Sequence, residues 1–407
     1  MRNKYFERTD SLFDITEKYK EAIDLFVSIG FNIKDEALRK TLGRSISLEE
    51  ALAVKKINVD TFMDGLIEVI ESNSDNLLHV NKSTGTEIRI EGVLPCPVRV
   101  PLLEGFQNWL GDEPEIEKSL GYELKAASMG VDWIKNSLID AKSDDVIADI
   151  FISAGFDLFF DKNLIGQFKS KNIFEDMTDM KPYNKDFENE KINLRDPDGE
   201  YSMIAVVPAV FLVNKDELGD RTMPSSWEDI MSEEFENKVS LPIGDFDLFN
   251  AILLNIYKHY GEEGVKRLGR SLLRSMHPSE MVKSHIKKAE KPIVTIMPYF
   301  FTKMTLRGGP MQAVWPKDGA IISPIFMLTK KAKKEKLKPI VDFFISKEVG
   351  EILSHNGRFP SVHPEVDNMI PEEQNYMWLG WDFIKENDIG NLIKKCEALF
   401  HEAVREV

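Results

Sequence analysis

The sequence contains few of the features that define a protein class at once. It has two cysteines, Cys96 and Cys396, with neither a CxxC spacing nor a histidine-rich tract beside them, so a disulfide framework or a thiolate zinc site is not expected. The longest apolar run, Met203–Val213, is interrupted by Pro208 and is shorter than the roughly 20 residues that span a membrane. The sequence therefore predicts a reducing compartment, no membrane insertion, no metal site of its own and no cofactor.

The chain also has fewer basic than acidic residues. The chain has 52 Lys and Arg against 68 Asp and Glu, a formal net charge of −16, whereas nucleic-acid binding depends on clustered basic side chains. This balance argues against a nucleic-acid partner and leaves a small ligand or a protein. The first ten residues are charged where a secretory signal needs an apolar core, so the chain as encoded is expected to be cytoplasmic.

The 407 residues are enough for two or three domains, and residues 1–72 are typical of a small helical one. Apolar residues at three- and four-residue steps predict one helix that ends at Gly30: Ile15, Tyr19, Ile23, Phe26 and Ile29. Ser47 and Glu50 form a capping-box pattern for a later helix. A polar, aperiodic stretch then predicts a linker over 73–86.

From residue 87 onward, short apolar strands alternate with helical patterns, which predicts an α/β fold with a parallel sheet. Two longer extended segments, Met203–Asn214 and Trp315–Pro324, are typical of crossings between two lobes. A chain that leaves one sheet and returns to it must cross twice. The predicted first lobe is therefore discontinuous, 87–208 and 315–407, with the second lobe at 209–314.

Two resemblances follow from short strings in the sequence. Residues 1–72 resemble a small helical domain of unknown function, on Ile15–Ile23, Gly30–Phe31 and Leu38–Gly43. Residues 87–407 resemble the solute-binding proteins of ABC transporters, specifically the type II periplasmic-binding-protein fold and its ferric-iron/molybdate-like branch. Strings in the expected order carry this second resemblance: Asp149–Gly155, Val207–Asn214, Pro224–Asp229, Trp315–Gly319 and Asn356–Pro360.

The second resemblance implies two α/β lobes that close on a ligand. Open parallel sheets bind ligands beyond the carboxyl ends of their strands, where helix N-termini present free N–H groups. Candidate ligand-binding residues are accordingly those that follow the predicted strands or mark the crossings: Cys96, Pro97, Ser128, Ser153, Ala154, Gly155, Pro208, Gly244, Asp245, Phe246, Tyr299 and Trp315.

Each candidate has a structural alternative. Cys96 also fits a small buried apolar residue, Asp245 a helix cap, and Tyr299 and Trp315 core residues near the hinge. Arg99 fits an anion site and a structural ion pair equally well. The second half of the chain has no adjacent tyrosines, and the histidines are scattered, so a bare Fe³⁺ site is not supported. An anion, a small organic molecule and a chelated metal remain open as ligands.

The leading hypothesis is a non-enzymatic solute-binding protein with a small-molecule or ion ligand and an ABC-transporter permease as partner. The resemblance to solute-binding proteins would imply export, in contrast to the cytoplasmic location expected from the first ten residues. The alternative is a cytoplasmic ligand sensor or carrier that uses the N-terminal helical domain for contact with a protein partner. A third hypothesis is an enzyme with Cys96 as nucleophile. No histidine lies near Cys96 in sequence to act as its base.

Overall fold

A computed structural model of the chain divides it into two compact units, Met1–Lys82 and Ser83–Val407. The boundary falls in the predicted linker, of which residues 73–85 lie outside the described residues. The structure describes residues 5–20, 22–23, 26, 31, 36–54, 59, 63, 66–67, 70, 86–127, 130–141, 143–169, 171–243, 246–286, 290–305 and 308–405.

The first unit contains three helices with described bounds: α1 Leu12–Lys18, α2 Glu36–Ser45 and α3 Leu48–Val54. The prediction of one helix running to Gly30 is wrong at its start, because Tyr19 adopts extended backbone angles that end α1. The capping box at α3 is present, since Glu50 N–H donates to the Ser47 hydroxyl at 3.3 Å and Ser47 N–H donates to the Glu50 carboxylate at 3.0 Å. The unit has its own apolar core, which includes Phe6, Leu12, Ile15, Phe26, Leu48, Leu52, Leu66 and Ile70.

The second unit is built on one sheet in the order β2–β1–β3–β9–β4–β7–β5–β6, with β10 paired to β9 and β8 paired to β4. The α/β class predicted from the sequence is confirmed. The predicted parallel sheet is wrong in its centre, because β9 pairs antiparallel with β3 and with β4, and β4 pairs antiparallel with β7. The strands have these bounds: β1 Ile88–Leu94, β2 Leu120–Ala126, β3 Ile150–Ala154, β4 Tyr201–Asn214, β5 Val239–Leu241, β6 Leu272–Ser275, β7 Val294–Pro298, β8 Met311–Val314, β9 Ala320–Thr329 and β10 Tyr376–Met377.

Helices cover this sheet and connect its strands. α10 begins with a capping box of Ser226 and Asp229. In α11, Gly261 has non-helical angles that divide the helix. The helices have these bounds: α4 Cys96–Asp112, α5 Pro114–Ser119, α6 Asp132–Ile139, α7 Asp157–Phe160, α8 Gly166–Lys169, α9 Lys215–Leu218, α10 Trp227–Ile230, α11 Phe246–Ser271, α12 Pro278–Met281, α13 Lys334–Phe344, α14 Lys347–Glu351, α15 Trp381–Glu386 and α16 Ile389–Arg405.

The strand β4 joins the two lobes. All fourteen of its residues are buried, as expected for a near-continuous apolar strand with neighbours on both faces. Residues 201–209 pair with β9, and residues 211–214 pair with β8. The chain returns through residues 315–319 between β8 and β9. The lobe boundaries drawn from the sequence stay a prediction.

The pairing register shows where the carboxyl ends of the strands meet. β3 ends at Ala154, opposite Ile325 of β9, and β7 ends at Pro298, opposite Ala209 of β4. Ile325 pairs in turn with Ala205, so β3 and β7 point toward each other across a short stretch of β4, roughly 13 Å at about 3.3 Å per residue. This stretch is the candidate site, because ligands of open α/β sheets bind beyond the carboxyl ends of parallel strands.

Candidate functional site

The end of β3 carries three of the predicted site residues. Ser153 is fully buried, and its hydroxyl donates to the carbonyl of Ala154 at 3.0 Å. Gly155 follows with a φ of +94°, a region that favours glycine. A Cβ at Gly155 would overlap the carboxylate of Asp247 in the first turn of α11. Gly155 therefore permits a close approach between the end of β3 and the first turn of α11, where Asp247 lies against it.

The end of β1 leads directly into α4. Cys96 is the first residue of the helix, and Pro97 lies in its first turn, where proline is favoured because the amide there needs no partner. Arg99 is almost fully buried and donates from Nε and Nη2 to the carbonyl of Leu124, at 3.2 and 3.1 Å. Burial lowers the pKa of Arg99 to about 10. Arg99 thus ties α4 to β2.

The predicted site residues of the second lobe are Phe246, at the start of α11, and the two residues before it in sequence. Gly244 and Asp245 lie outside the described residues, as does Ser128 after β2. Phe246 is the first residue of α11. The place of these four residues in the site stays a prediction.

Tyr299 and Trp315 are in direct contact. Tyr299 follows β7 and Trp315 follows β8, and the two rings lie edge to face with centroids 5.3 Å apart. Both strands pair with β4, so the rings meet beside its buried middle, which includes Pro208. The Trp315 indole N–H donates to the carbonyl of Asn375 at 2.7 Å. Both side chains are half-buried, which leaves part of each ring open to a ligand.

Residues 360–362 pair with β4 and bring a further residue, Arg358, toward its middle. Backbone N–H groups of Val206 and Val362 donate to the carbonyls of Pro360 and Ile204, at 3.0 and 3.2 Å, which sets residues 360–362 antiparallel to β4. Continuing this register carries Arg358 toward the middle of β4. Its φ is +48°.

Arg358 lies over the ring of Tyr299, with the guanidinium carbon 4.7 Å from the ring centroid, a cation–π contact. Its Nη1 donates to the Thr302 hydroxyl at 2.6 Å. Nearby, burial and then the charge of Arg358 lower the pKa of Lys303. Among the residues with described positions, no carboxylate lies within 4.0 Å of either cation. The site thus contains two cations without an ion-pair partner beside two half-buried rings.

Sequence reasoning did not select Arg358 or Lys303. A usable signal exists in the acidic chain, because each lies in a long stretch without Asp or Glu: residues 352–364 around Arg358 and residues 291–317 around Lys303. Basic residues far from any acid in sequence have fewer local partners. This pattern would have distinguished them from the lysine run at 330–338.

Comparison with protein families identifies the class of protein that this architecture belongs to. Residues 145–387 match the family described as Bacterial extracellular solute-binding protein. The match covers more than half of the chain, and the chain belongs to this family. Its members are binding proteins rather than enzymes. Residues 7–63 match a second family, described as Domain of unknown function (DUF1858). Both family matches agree with the resemblances drawn from the sequence.

Solved structures share the two-lobed fold. The ferric binding protein from Campylobacter jejuni matches with a TM-score of 0.54 and 15% identity, over 78% of this chain and 99% of its own. The substrate binding protein of an ABC transporter from Agrobacterium tumefaciens gives 0.51 and 16%, over 80% and 96%. Iron-bound HitA from Pseudomonas aeruginosa gives 0.52 and 10%, over 78% and 98%. Identities this low show the fold alone. No curated protein matches the sequence.

Among the described residues, no helix has both the length and the apolar character needed to cross a bilayer. No three His, Cys, Asp or Glu side chains among them are grouped so as to hold a metal ion.

Proposed function

We propose that this protein binds a small solute with an anionic group between its two lobes and presents it to the permease of an ABC transporter. The observation that carries the proposal is Arg358, an arginine without a carboxylate partner in the described part of a chain with net charge −16. Guanidinium groups bind carboxylates and phosphates through paired N–H donors. Tyr299 and Trp315 offer an apolar surface beside it.

The same charges disfavour a bare metal cation. Arg358 and Lys303 would repel Fe³⁺, whose usual protein ligands are hard anionic oxygens. The ferric proteins among the structural relatives share only 10–15% identity with this chain. A chelated metal is compatible with the proposal, because an anionic chelator can present its own carboxylates to Arg358.

The anionic-solute proposal is tested with Arg358→Gln. Phosphate, sulfate, acetate and benzoate are screened for thermal stabilisation of the full chain, alongside any molecule that native mass spectrometry finds released from the protein. The affinity for the binding anion, measured by calorimetry, is expected to fall about 10–100-fold, since hydrogen bonds to charged groups contribute about 1.5–3 kcal/mol.

The matched control is Lys334→Gln, which also removes one positive charge but from a surface pair with Glu175 at 2.6 Å. This variant should keep the affinity of the unmodified protein. Equal affinity in Arg358→Gln and Lys334→Gln would place the anion elsewhere and reject the proposal.

A second candidate function is supported by the N-terminal unit, which has its own apolar core and matches a separate family. In this candidate the protein stays in the cytoplasm as a ligand sensor or carrier, and the N-terminal unit contacts a protein partner. Fractionation of cells that produce the full chain separates the two. Recovery from the periplasmic or secreted fraction favours transport, whereas retention in the cytoplasm favours the sensor.

A further inference from the structure

Three aromatic rings form a row beside β4. Trp315 is in the middle, with its centroid 5.3 Å from that of Tyr299 and 5.5 Å from that of Tyr376. Both contacts are edge to face, at 84° and 80°. All three side chains are half-buried. A row of partly open rings binds planar or apolar groups through their large contact area.

The two ends of the row have opposite charge. Arg358 lies over Tyr299 at one end, as described above. At the other end, burial and then the charge of Asp186 raise the pKa of Tyr376. Asp186 accepts an N–H from the Asn368 side chain at 2.9 Å. No basic side chain in the described ranges lies within 4.0 Å of its carboxylate. Arg358 and Asp186 therefore have no ion-pair partner in the described ranges, and Lys191, which lies near Tyr376, donates instead to the Asn375 side chain at 3.0 Å.

The Tyr376 hydroxyl adds a polar group at the acidic end. It is buried and makes no hydrogen bond to any described residue, although buried tyrosine hydroxyls usually have a partner. The ring of Phe187 lies against it with centroids 5.0 Å apart. A ligand group that hydrogen-bonds to this hydroxyl would supply the missing partner.

We infer that the solute is dipolar, with a planar middle on the three rings, an anionic group at Arg358 and a cationic hydrogen-bond donor at Asp186 and Tyr376. This inference rests on the proposed function and adds the second end of the ligand. A solute with only an anionic group would leave the charge of Asp186 without a countercharge and the Tyr376 hydroxyl without a hydrogen bond. Sites that hydrogen-bond a polar group discriminate strongly against analogues that lack it.

The test uses three probes that share one ring and differ only in charge. 4-(Aminomethyl)benzoate carries both charges at opposite ends of the ring, 4-methylbenzoate carries only the anion, and 4-methylbenzylamine carries only the cation. Titration calorimetry on the full chain should show the tightest binding for 4-(aminomethyl)benzoate, about tenfold or more tighter than either singly charged probe.

Variants assign each charge to an end of the row. Asp186→Asn should remove the advantage of 4-(aminomethyl)benzoate over 4-methylbenzoate, and Arg358→Gln should remove its advantage over 4-methylbenzylamine. Tyr376→Phe keeps the ring and should reduce the first advantage without loss of fold. The control, Asp342→Asn, removes a carboxylate paired with Lys338 on α13 and should change neither ratio.

The outcomes separate this inference from the proposed function. If 4-methylbenzoate binds as tightly as 4-(aminomethyl)benzoate and its binding still depends on Arg358, the dipolar ligand is wrong and the anionic solute stands. If 4-methylbenzylamine binds best, both are wrong. If no probe binds at millimolar concentration while the screened anions do, the aromatic row is not the contact surface and the inference fails.

Discussion

Two groups of basic side chains in this protein differ in their spacing along the sequence and in whether they have carboxylate partners. The lysines between 330 and 338 are dense in sequence, yet they pair with carboxylates across the fold: Lys333 with Asp149 at 2.9 Å, Lys334 with Glu175 at 2.6 Å, and Lys336 with Glu87. Arg358 and Lys303 lie far apart in sequence, meet near β4 and have no carboxylate partner in the described residues. Density of charge along the chain therefore does not predict an anion site. The absence of a countercharge in the fold is the better indicator.

The largest effect that tests this comparison is expected for Asp149→Asn. The Asp149 side chain is 3% exposed and neutralises Lys330, whose side chain is 10% exposed with Nζ 3.5 Å away. Burial lowers the pKa of Lys330 despite this carboxylate. Asparagine leaves Lys330 and Lys333 without their countercharge, which should lower the free energy of unfolding by about 3 kcal/mol.

Chemical denaturation measures this loss, and the affinity of the folded variant for its anionic solute should be unchanged. Arg358→Gln is the counterpart, with weaker binding and little change in stability. If both variants lose stability equally and keep binding, the two groups of cations do not differ in role.

A smaller effect is expected for Gly155→Ala, which tests the predicted place of Gly155 in the solute site. An alanine at a φ of +94° is strained, and its Cβ would overlap Asp247, so the free energy of unfolding should fall by about 1–3 kcal/mol. If Gly155 lines the solute site, solute-induced stabilisation should also decrease. The control is Gly111→Ala, where a Cβ meets nothing within 4 Å; this helical glycine should tolerate the change or gain up to about 1 kcal/mol.

The smallest effect concerns pH and separates the two cations of the site. In the proposed site, Lys303 attracts the anion in its protonated form. Its ammonium also donates to the carbonyls of His355 and Asn356 at 2.7 and 3.0 Å, and its pKa is lowered by partial burial and by Arg358. Solute affinity should therefore be constant near neutral pH and decrease as the pH rises through that lowered pKa, while Arg358 stays charged throughout. Calorimetry across this range should show no such decrease in Lys303→Arg. An identical decrease in that variant would assign the titration to another group.

Local patterns in the sequence were sufficient to predict the α/β class and the position of β4. Alternating strands and helices predicted the α/β class, and the apolar segment Met203–Asn214 corresponds to β4, which the structure extends to Tyr201. Helix ends were less predictable. α1 stops at Lys18 although the apolar spacing continues past it, because spacing records which face is buried and not whether the backbone between two buried residues stays helical.

The site depended on information that no local pattern contains. Tyr299 and Trp315 were selected because each follows or precedes a predicted strand, but their contact requires that β7 and β8 both pair with β4. Arg358 reaches them through the hydrogen bonds of residues 360–362, and Tyr376 through the pairing of β10 with β9. These registers are set by tertiary packing over separations of tens to hundreds of residues.

Pro208 interrupts the hydrogen bonding along one edge of β4. It has no amide hydrogen to donate, and it lies between Val206, which bonds to Pro360, and Ala209, which pairs with Pro298. On this edge of β4 one neighbour ends and the next begins, whereas β9 pairs with the other edge through Pro208. We expect a rotation of one lobe against the other to bend β4 at this residue. Arg358 approaches from one side of that pivot and Tyr299 from the other. We therefore expect the distance between Arg358 and Tyr299 to change when the lobes rotate. A solute bound to both side chains would oppose that rotation.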